Sequence, residues 1–163
     1  MRTYVGSCIW RDVPVQHMRA LVPLLRTPGF AYYPQTGDAL IQRARGISAT
    51  YFLHHTDFDV HLSIDSDIVN FSVEDTIKLC ELAMSHDIVG GVYVCRSAER
   101  TFPASFYADG VRVEHAFDHT PIPVQWCATG FLAVHRRVFD VLAHKMRMLH
   151  RMDGDRAFYD FYG

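Results

Sequence analysis

The stretch Val60-His61-Leu62-Ser63-Ile64-Asp65-Ser66-Asp67-Ile68-Val69 decides how this chain is read. Apolar and polar residues alternate through Ile64, the period of a β-strand, and two carboxylates follow one residue apart at its end. In an α/β sheet the carboxyl end of a strand borders the ligand crevice. Two carboxylates there suit a hard cation such as Mg²⁺ or Mn²⁺, and such a cation suits a diphosphate. The expectation is metal-assisted chemistry on a nucleotide diphosphate. The plain alternative is a polar strand end with one capping aspartate.

Spacing alone does not single out this pair. The chain holds 14 aspartates, and Asp-x-Asp recurs at Asp57-Phe58-Asp59 and Asp153-Gly154-Asp155. Context does. A helical pattern follows from Val73 to Met84, with Ser72 and Asp75 resembling a capping box and Glu74 and Asp75 favouring the positive helix start. Val73, Ile77, Cys80 and Met84 form its apolar stripe.

Upstream, Tyr4 to Ile9 reads as a strand and Val15 to Arg26 as a helix, bounded by Pro14 and by Pro28-Gly29. Phe30 to Tyr33 reads as a short strand. Ala39 to Leu53 is helical in pattern, with Asp38 as its N-cap. Downstream, Asp87 to Cys95 is an apolar strand containing Gly90-Gly91, whose plain reading is close packing against a helix. Asp109-Gly110 is a hairpin turn between Ser105–Ala108 and Val111–Phe117. Val124 to Ala128 and Phe131 to Val134 are strands around Thr129-Gly130, and Arg136 to Met148 is a last helix. Alternating strands and helices followed by a hairpin predict an α/β fold whose mostly parallel sheet becomes mixed in its second half. No repeat or linker divides residues 1–163, so one domain is expected.

With 163 residues and 49% hydrophobic content the chain can bury a core. A net charge of −2 gives no general nucleic-acid signal; Arg43/Arg45 and Arg136/Arg137 are the candidate local basic patches. Cys8, Cys80, Cys95 and Cys127 form no Cys-x-x-Cys and read as small buried thiols of a reducing compartment. No charged start precedes a long apolar run, and no apolar stretch is long enough to span a bilayer, so a cytoplasmic setting is expected. The 10 histidines are scattered along the chain and read as surface or packing residues.

Four ordered segments resemble nucleotide-sugar-dependent glycosyltransferases of the GT-A fold, close to the large family-two group. Asp38-Ala39-Leu40-Ile41-Gln42-Arg43-Ala44-Arg45 looks like the helix carrying an Ala-Arg pair. His61 to Ile68 is similar to the strand ending in a metal-binding Asp-x-Asp. Asp87 to Tyr93 looks like the following strand, and Trp126 to Phe139 resembles the Thr-Gly-Phe strand leading into an arginine-led helix. The resemblance implies a single Rossmann-like GT-A domain that transfers a sugar from a nucleotide diphosphate sugar to a glycan or other hydroxyl acceptor, metal-assisted and with inversion.

It also implies roles. Asp67 would bind Mn²⁺ or Mg²⁺, and Asp65 would contact the ribose or hold the metal through water. Ser66 would lie between them against the nucleotide. Arg45 would reach the diphosphate with a planar fork, or stand as a solvated helix arginine. Tyr4 to Cys8 and Asp38 would line the base pocket. Trp126, Thr129 and Gly130 would lie under the acceptor, Gly130 through a close backbone approach or a positive φ; the plain reading is a buried tryptophan beside a tight turn.

The family's general base is an aspartate, often within Glu-Asp, downstream of Thr-Gly-Phe. No Glu-Asp follows Gly130. The late carboxylates are Asp140, Asp153, Asp155 and Asp160, of which the loop Asp153-Gly154-Asp155 would stand in. The aromatic run Phe158 to Tyr162 resembles the segment just before the missing motif, so the C-terminal part of the pattern is expected to be absent. The competing readings are a non-catalytic nucleotide-sugar or glycan-binding relative and a haloacid-dehalogenase-like phosphatase with Asp65 as nucleophile. Nucleotidyl transfer ranks lower, because Tyr4 to Val13 holds one glycine and no lysine.

Overall fold

A computed structural model describes residues 1–94, 102, 104, 107–108, 111–112, 120–145, 149–154 and 156–162, with backbone alone at 107, 108, 112 and 153. The described strands are β1 (Thr3–Ile9), β2 (Phe30–Thr36), β3 (Val60–Ile64), β4 (Ile88–Gly90), β5 (Tyr107–Ala108), β6 (Val111–Arg112), β7 (Phe131–His135), β8 (His150–Asp153) and β9 (Arg156–Tyr159). The helices are α1 (Val15–Leu25), α2 (Ile41–His55), α3 (Val73–His86) and α4 (Arg136–Asp140), which continues as a π-helical turn, Val141–Lys145.

Five strands form the main sheet in the order β2-β1-β3-β7-β4. β1 pairs parallel with β2 and β3, while β7 runs antiparallel to both β3 and β4. Four strands therefore run one way and β7 alone is reversed. The predicted Rossmann-like α/β fold, mostly parallel and mixed in its second half, is what forms.

Side-chain alternation sorts the two faces. Val5, Val60, Leu62, Ile64, Phe131 and Ala133 pack with Leu21 and Leu24 of α1 and Leu79, Cys80 and Ala83 of α3. Tyr4, Leu132 and Val134 pack on the opposite face with Ala49, Phe52 and Leu53 of α2 and Phe139 of α4. All five residues of β3 are buried. The polar half of the alternation, His61 and Ser63, faces α2 rather than water, a placement that periodicity cannot reveal.

Arg136 joins α4 to the end of α2. Its guanidinium donates to the carbonyls of Leu53 (2.8 Å), Thr56 (2.7 Å) and Phe58 (2.7 Å), and lies 4.4 Å from the Phe52 ring centroid. The Leu53 carbonyl is one that the helix end leaves unpaired, and those of Thr56 and Phe58 belong to the cap and the loop that follow. Lysine has neither the fork nor the reach to serve all of them. Arg136→Lys is expected to cost about 2 kcal/mol in urea denaturation.

Several expectations shift. Helix α2 starts at Ile41 behind Leu40, so Asp38 is not its N-cap; it accepts the Leu40 N–H at 2.9 Å in the turn before. Ser72 does cap α3, accepting the Asp75 N–H at 2.9 Å. The buried stripe of α3 is Thr76, Leu79, Cys80 and Ala83, and Met84 is exposed. β4 ends at Gly90 because its partner β7 begins only at Phe131. A side chain at Gly90 would meet Cys127 and one at Gly91 the Phe131 ring, so these glycines accommodate side chains, not a helix. Among the described residues Val124 to Ala128 makes only the single bridge Ala104↔Cys127. β5 and β6 pair antiparallel as expected, with the Asp109-Gly110 turn and residues 113–117 outside the described residues. Cys95 and the predicted helix end at 146–148 are outside them as well.

The β8–β9 hairpin was not legible. Phe158 is the one buried side chain among its described residues, so no period-2 apolar signal marks it. Glycine admits it to the domain: a Cβ at Gly46 of α2 would sit 2.9 Å from the Tyr159 carbonyl oxygen and 3.0 Å from the Phe158 ring. One turn on, Thr50 Oγ1 accepts the Tyr159 N–H at 2.9 Å.

Candidate active site

The carboxyl ends of β1 and β3 lie side by side, and the acidic pair sits there. The Asp65 N–H donates to the Gly130 carbonyl (2.8 Å), and the Ile68 N–H returns to the Asp65 carbonyl (2.9 Å). The resulting turn leaves Asp65 half-buried and Asp67 exposed. Cys8, Trp10, Asp38, Asp65, Ser66 and Asp67 line one crevice of about 240 Å³. A larger depression of about 580 Å³ runs beside α3. Its lining comes from that one helix, with no group converging from a second element, so the strand-end crevice is the candidate site.

Helix α2 supplies the arginine. Arg45 is 9% exposed, and its Nη2 donates to both Asp65 oxygens, at 2.8 and 2.6 Å. It is therefore not a solvated helix arginine. Its Nε is buried with no hydrogen-bond partner among the described residues. Asp38 is held by Arg43 through a two-nitrogen fork, Nε donating to Oδ2 at 2.8 Å and Nη2 to Oδ1 at 2.9 Å. The Arg43 contacts and the Leu40 N–H keep the Asp38 carboxyl below the usual carboxylate range. Arg137 pairs with Asp87, and Arg136 serves the α2 carbonyls. All four arginines suggested as basic patches are thus committed within the fold.

Burial pushes the Cys8 thiol up to about 11, so Cys8 forms wall and not nucleophile. Gly130 takes no positive φ; its role is close approach. A Cβ there would lie 2.5 Å from Tyr93 Oη and 3.0 Å from Asp65 Oδ2. Trp126 is 56% exposed, which removes the reading of a buried core tryptophan.

The C-terminal hairpin brings further groups. Arg156 acts electrostatically on Asp38, and the buried Tyr162 hydroxyl feels Arg45, Cys8 and Asp65. Burial pushes the Tyr162 phenol well above its ordinary value. Trp10, Tyr93, Arg156 and Tyr162 were missed from the sequence; only the aromatic run at 158–162 signalled that the tail packs on something. Of the base candidates, Asp155 lies outside the described residues, and Asp153 is described only as backbone, ending β8 and not in a loop. Asp160 pairs with Arg151.

Among the described residues no three His, Cys, Asp or Glu side chains are placed to hold a metal ion. Asp65 is occupied by Arg45, so a protein-only cage does not form here. The donor set fits an ion of the Mg²⁺ type, which is held by one or two carboxylates and completed by substrate phosphates. Among the described residues no helix is long and apolar enough to cross a membrane.

No protein-family model matches this chain, and no curated protein matches it in sequence. Among solved structures it is similar to A197 from STIV, with a TM-score of 0.65 and 20% identity over 86% of this chain and 68% of that one. It is also similar to CMP:2-keto-3-deoxy-manno-octonic acid synthetase complexed with CTP, with a TM-score of 0.48 and 12% identity over 93% of this chain and 80% of that one. The first likeness is one of fold alone, and the second is too distant to inform function.

Proposed function

We propose that residues 1–163 form one GT-A-like domain that transfers a sugar from a nucleotide diphosphate sugar to a hydroxyl acceptor. The observation that carries this reading is the Asp65-Ser66-Asp67 turn at the carboxyl end of β3, opening on a crevice beside the end of β1 with a buried guanidinium locked against it. Asp67, with Asp65 through water or the ribose, would hold Mn²⁺ or Mg²⁺. When bound, that ion stabilises charge building on the leaving diphosphate. Arg45 adds fixed positive charge beneath the same point, oriented by Asp65 before substrate arrives. Trp126, Thr129 and Gly130 would meet the acceptor, and Asp153 or Asp155 would take its proton.

Trp10 extends the reading to the base. It is 52% exposed and lines the crevice, offering an indole face for stacking. Trp10→Ala is expected to weaken nucleotide binding by roughly tenfold, about 1.4 kcal/mol. Tryptophan fluorescence quenched by the nucleotide in the parent and not in the variant checks this.

A binding-only relative remains the second reading, because the described crevice lining holds no carboxylate beyond Asp38, Asp65 and Asp67. Nucleoside diphosphate release from nucleotide sugars, with Mn²⁺ and with or without hydroxyl acceptors, separates the two. Acceptor-dependent release supports transfer; metal-dependent binding without release supports the binding-only relative.

A further inference from the structure

A second polar contact links the elements that carry the crevice. Ser48 lies one turn beyond Arg45 on α2, and His61 lies four residues before Asp65 on β3. Ser48 Oγ is 3.3 Å from His61 Nε2 and 3.3 Å from Tyr4 Oη. Exposure is 4% at Ser48, 1% at His61 and 2% at Tyr4, so three polar groups meet inside an otherwise apolar layer. The His61 ring stacks on Tyr4 at 5.1 Å and meets Phe52 edge-on at 5.4 Å, so an apolar ring would fill the same space. Among the described residues His61 Nδ1 has no hydrogen-bond partner.

Strand β1 makes room for this contact. A Cβ at Gly6 would stand 2.8 Å from Ser48 Oγ and 3.2 Å from His61 Nε2. Along α2, Arg45, Ser48 and Phe52 share one face at i, i+3 and i+7. Along β3, His61 and Ser63 share the face opposite, and Asp65 follows at the strand's end. Among the described residues α2 thus makes two directional side-chain contacts with β3 and the turn that follows it, Arg45–Asp65 at the crevice and Ser48–His61 beneath it, in addition to the Arg136 and Tyr159 contacts farther along the helix. Apolar packing is non-directional, and a helix resting on it alone can rotate or slide at small cost. Hydrogen bonds are directional, and two of them spaced along a helix fix both rotation and slide.

We infer that the Ser48–His61 contact, backed by Tyr4 and admitted by Gly6, sets the rotation of α2 so that Arg45 meets Asp65 at the crevice. His61 and Ser48 are positioning residues. Their effect on ligand binding rests on the proposed function; their effect on the Arg45–Asp65 geometry does not.

The test has two arms. In the first, a double-mutant cycle with Arg45→Met and Asp65→Asn measures the coupling of that pair from urea midpoints. It is run in the parent, His61→Phe, Ser48→Ala and His61→Gln backgrounds, glutamine returning an N–H near the Nε2 position. The coupling is expected to fall by at least about half in His61→Phe and Ser48→Ala and to be retained in His61→Gln. In the second arm, the Kd for a nucleoside diphosphate with Mn²⁺ is expected to rise about tenfold in the first two variants and to stay within about twofold of the parent in the third. Parental coupling in both His61→Phe and Ser48→Ala overturns the inference. A parent that binds no nucleotide counts against the proposed function, while the coupling arm still decides the positioning role. Should His61→Phe fail to fold, Ser48→Ala carries both arms.

Discussion

Asp65→Asn is expected to lower the unfolding free energy by about 3 kcal/mol, and Asp67→Asn by less than about 1 kcal/mol, although the two residues are one apart. The asymmetry follows from their surroundings. The Asp65 side chain is 24% exposed and that of Arg45 11%, and Arg45 Nη2 donates to both carboxylate oxygens. Removing the carboxylate charge strands a guanidinium whose Nε already lacks a partner among the described residues. A buried charge left unpaired is far costlier than the pair was worth. Asp67 is exposed on the turn, where substitutions cost little. Binding should show the opposite order. Asp67→Asn should abolish the gain in melting temperature that a nucleoside diphosphate gives with Mn²⁺ while the free protein melts almost as the parent does. Replacing both members, as in Arg45→Met with Asp65→Leu, should recover most of the lost stability, because the desolvation cost disappears with the charges. Urea denaturation of the three variants beside the parent checks the set.

The second large effect is acid sensitivity. His61 is buried and neutral, and burial pushes its imidazole down to about 3. In the unfolded chain the same group titrates near about 6.5. Above that pH both states are neutral and His61 contributes no pH dependence. Between the two values the unfolded chain binds a proton that the folded chain refuses, so stability falls as pH falls, by up to about 1.4 kcal/mol per pH unit. Lowering the pH from 6.5 to 4.5 should remove about 2 kcal/mol through this residue. Asp38 works in a different window: its carboxyl is held low in the fold, so its contribution is lost only as pH falls below the ordinary carboxylate range. His54 is also lowered, first by burial and then by His144, but it is exposed and adds little. His61→Phe should flatten the slope between pH 6.5 and 4.5 in urea titrations, whereas His54→Gln should leave it nearly unchanged.

The framework of the sheet was legible because strands β1, β3 and β7 and helices α1, α2 and α3 carry strong local signals. The period-2 run into Asp65, the Ser72 cap and the Pro14 and Pro28 boundaries each act within a few residues. What the sequence hid depends on contacts between distant segments. The alternation at 60–64 identifies a strand but not what covers its polar face; only α2 packing makes His61 and Ser63 interior. Arg45 read equally as solvated or functional, because its burial against Asp65 is a tertiary fact. The hairpin at 150–159 was lost because its stability comes from docking on Gly46 and Thr50 and not from its own apolar pattern. Trp10 went unremarked because one aromatic at a strand end has no signature until the crevice forms around it.

Isothermal titration of UDP, GDP and CDP, each with and without Mn²⁺, into the parent and the Asp67→Asn variant tests the central claim most directly. The acidic turn at the end of β3 acting as a cation-assisted diphosphate site predicts that at least one nucleotide binds the parent only when Mn²⁺ is present, and that the Asp67→Asn variant binds none. Metal-independent binding of equal strength in both proteins, or heat of dilution alone in every titration, would contradict it.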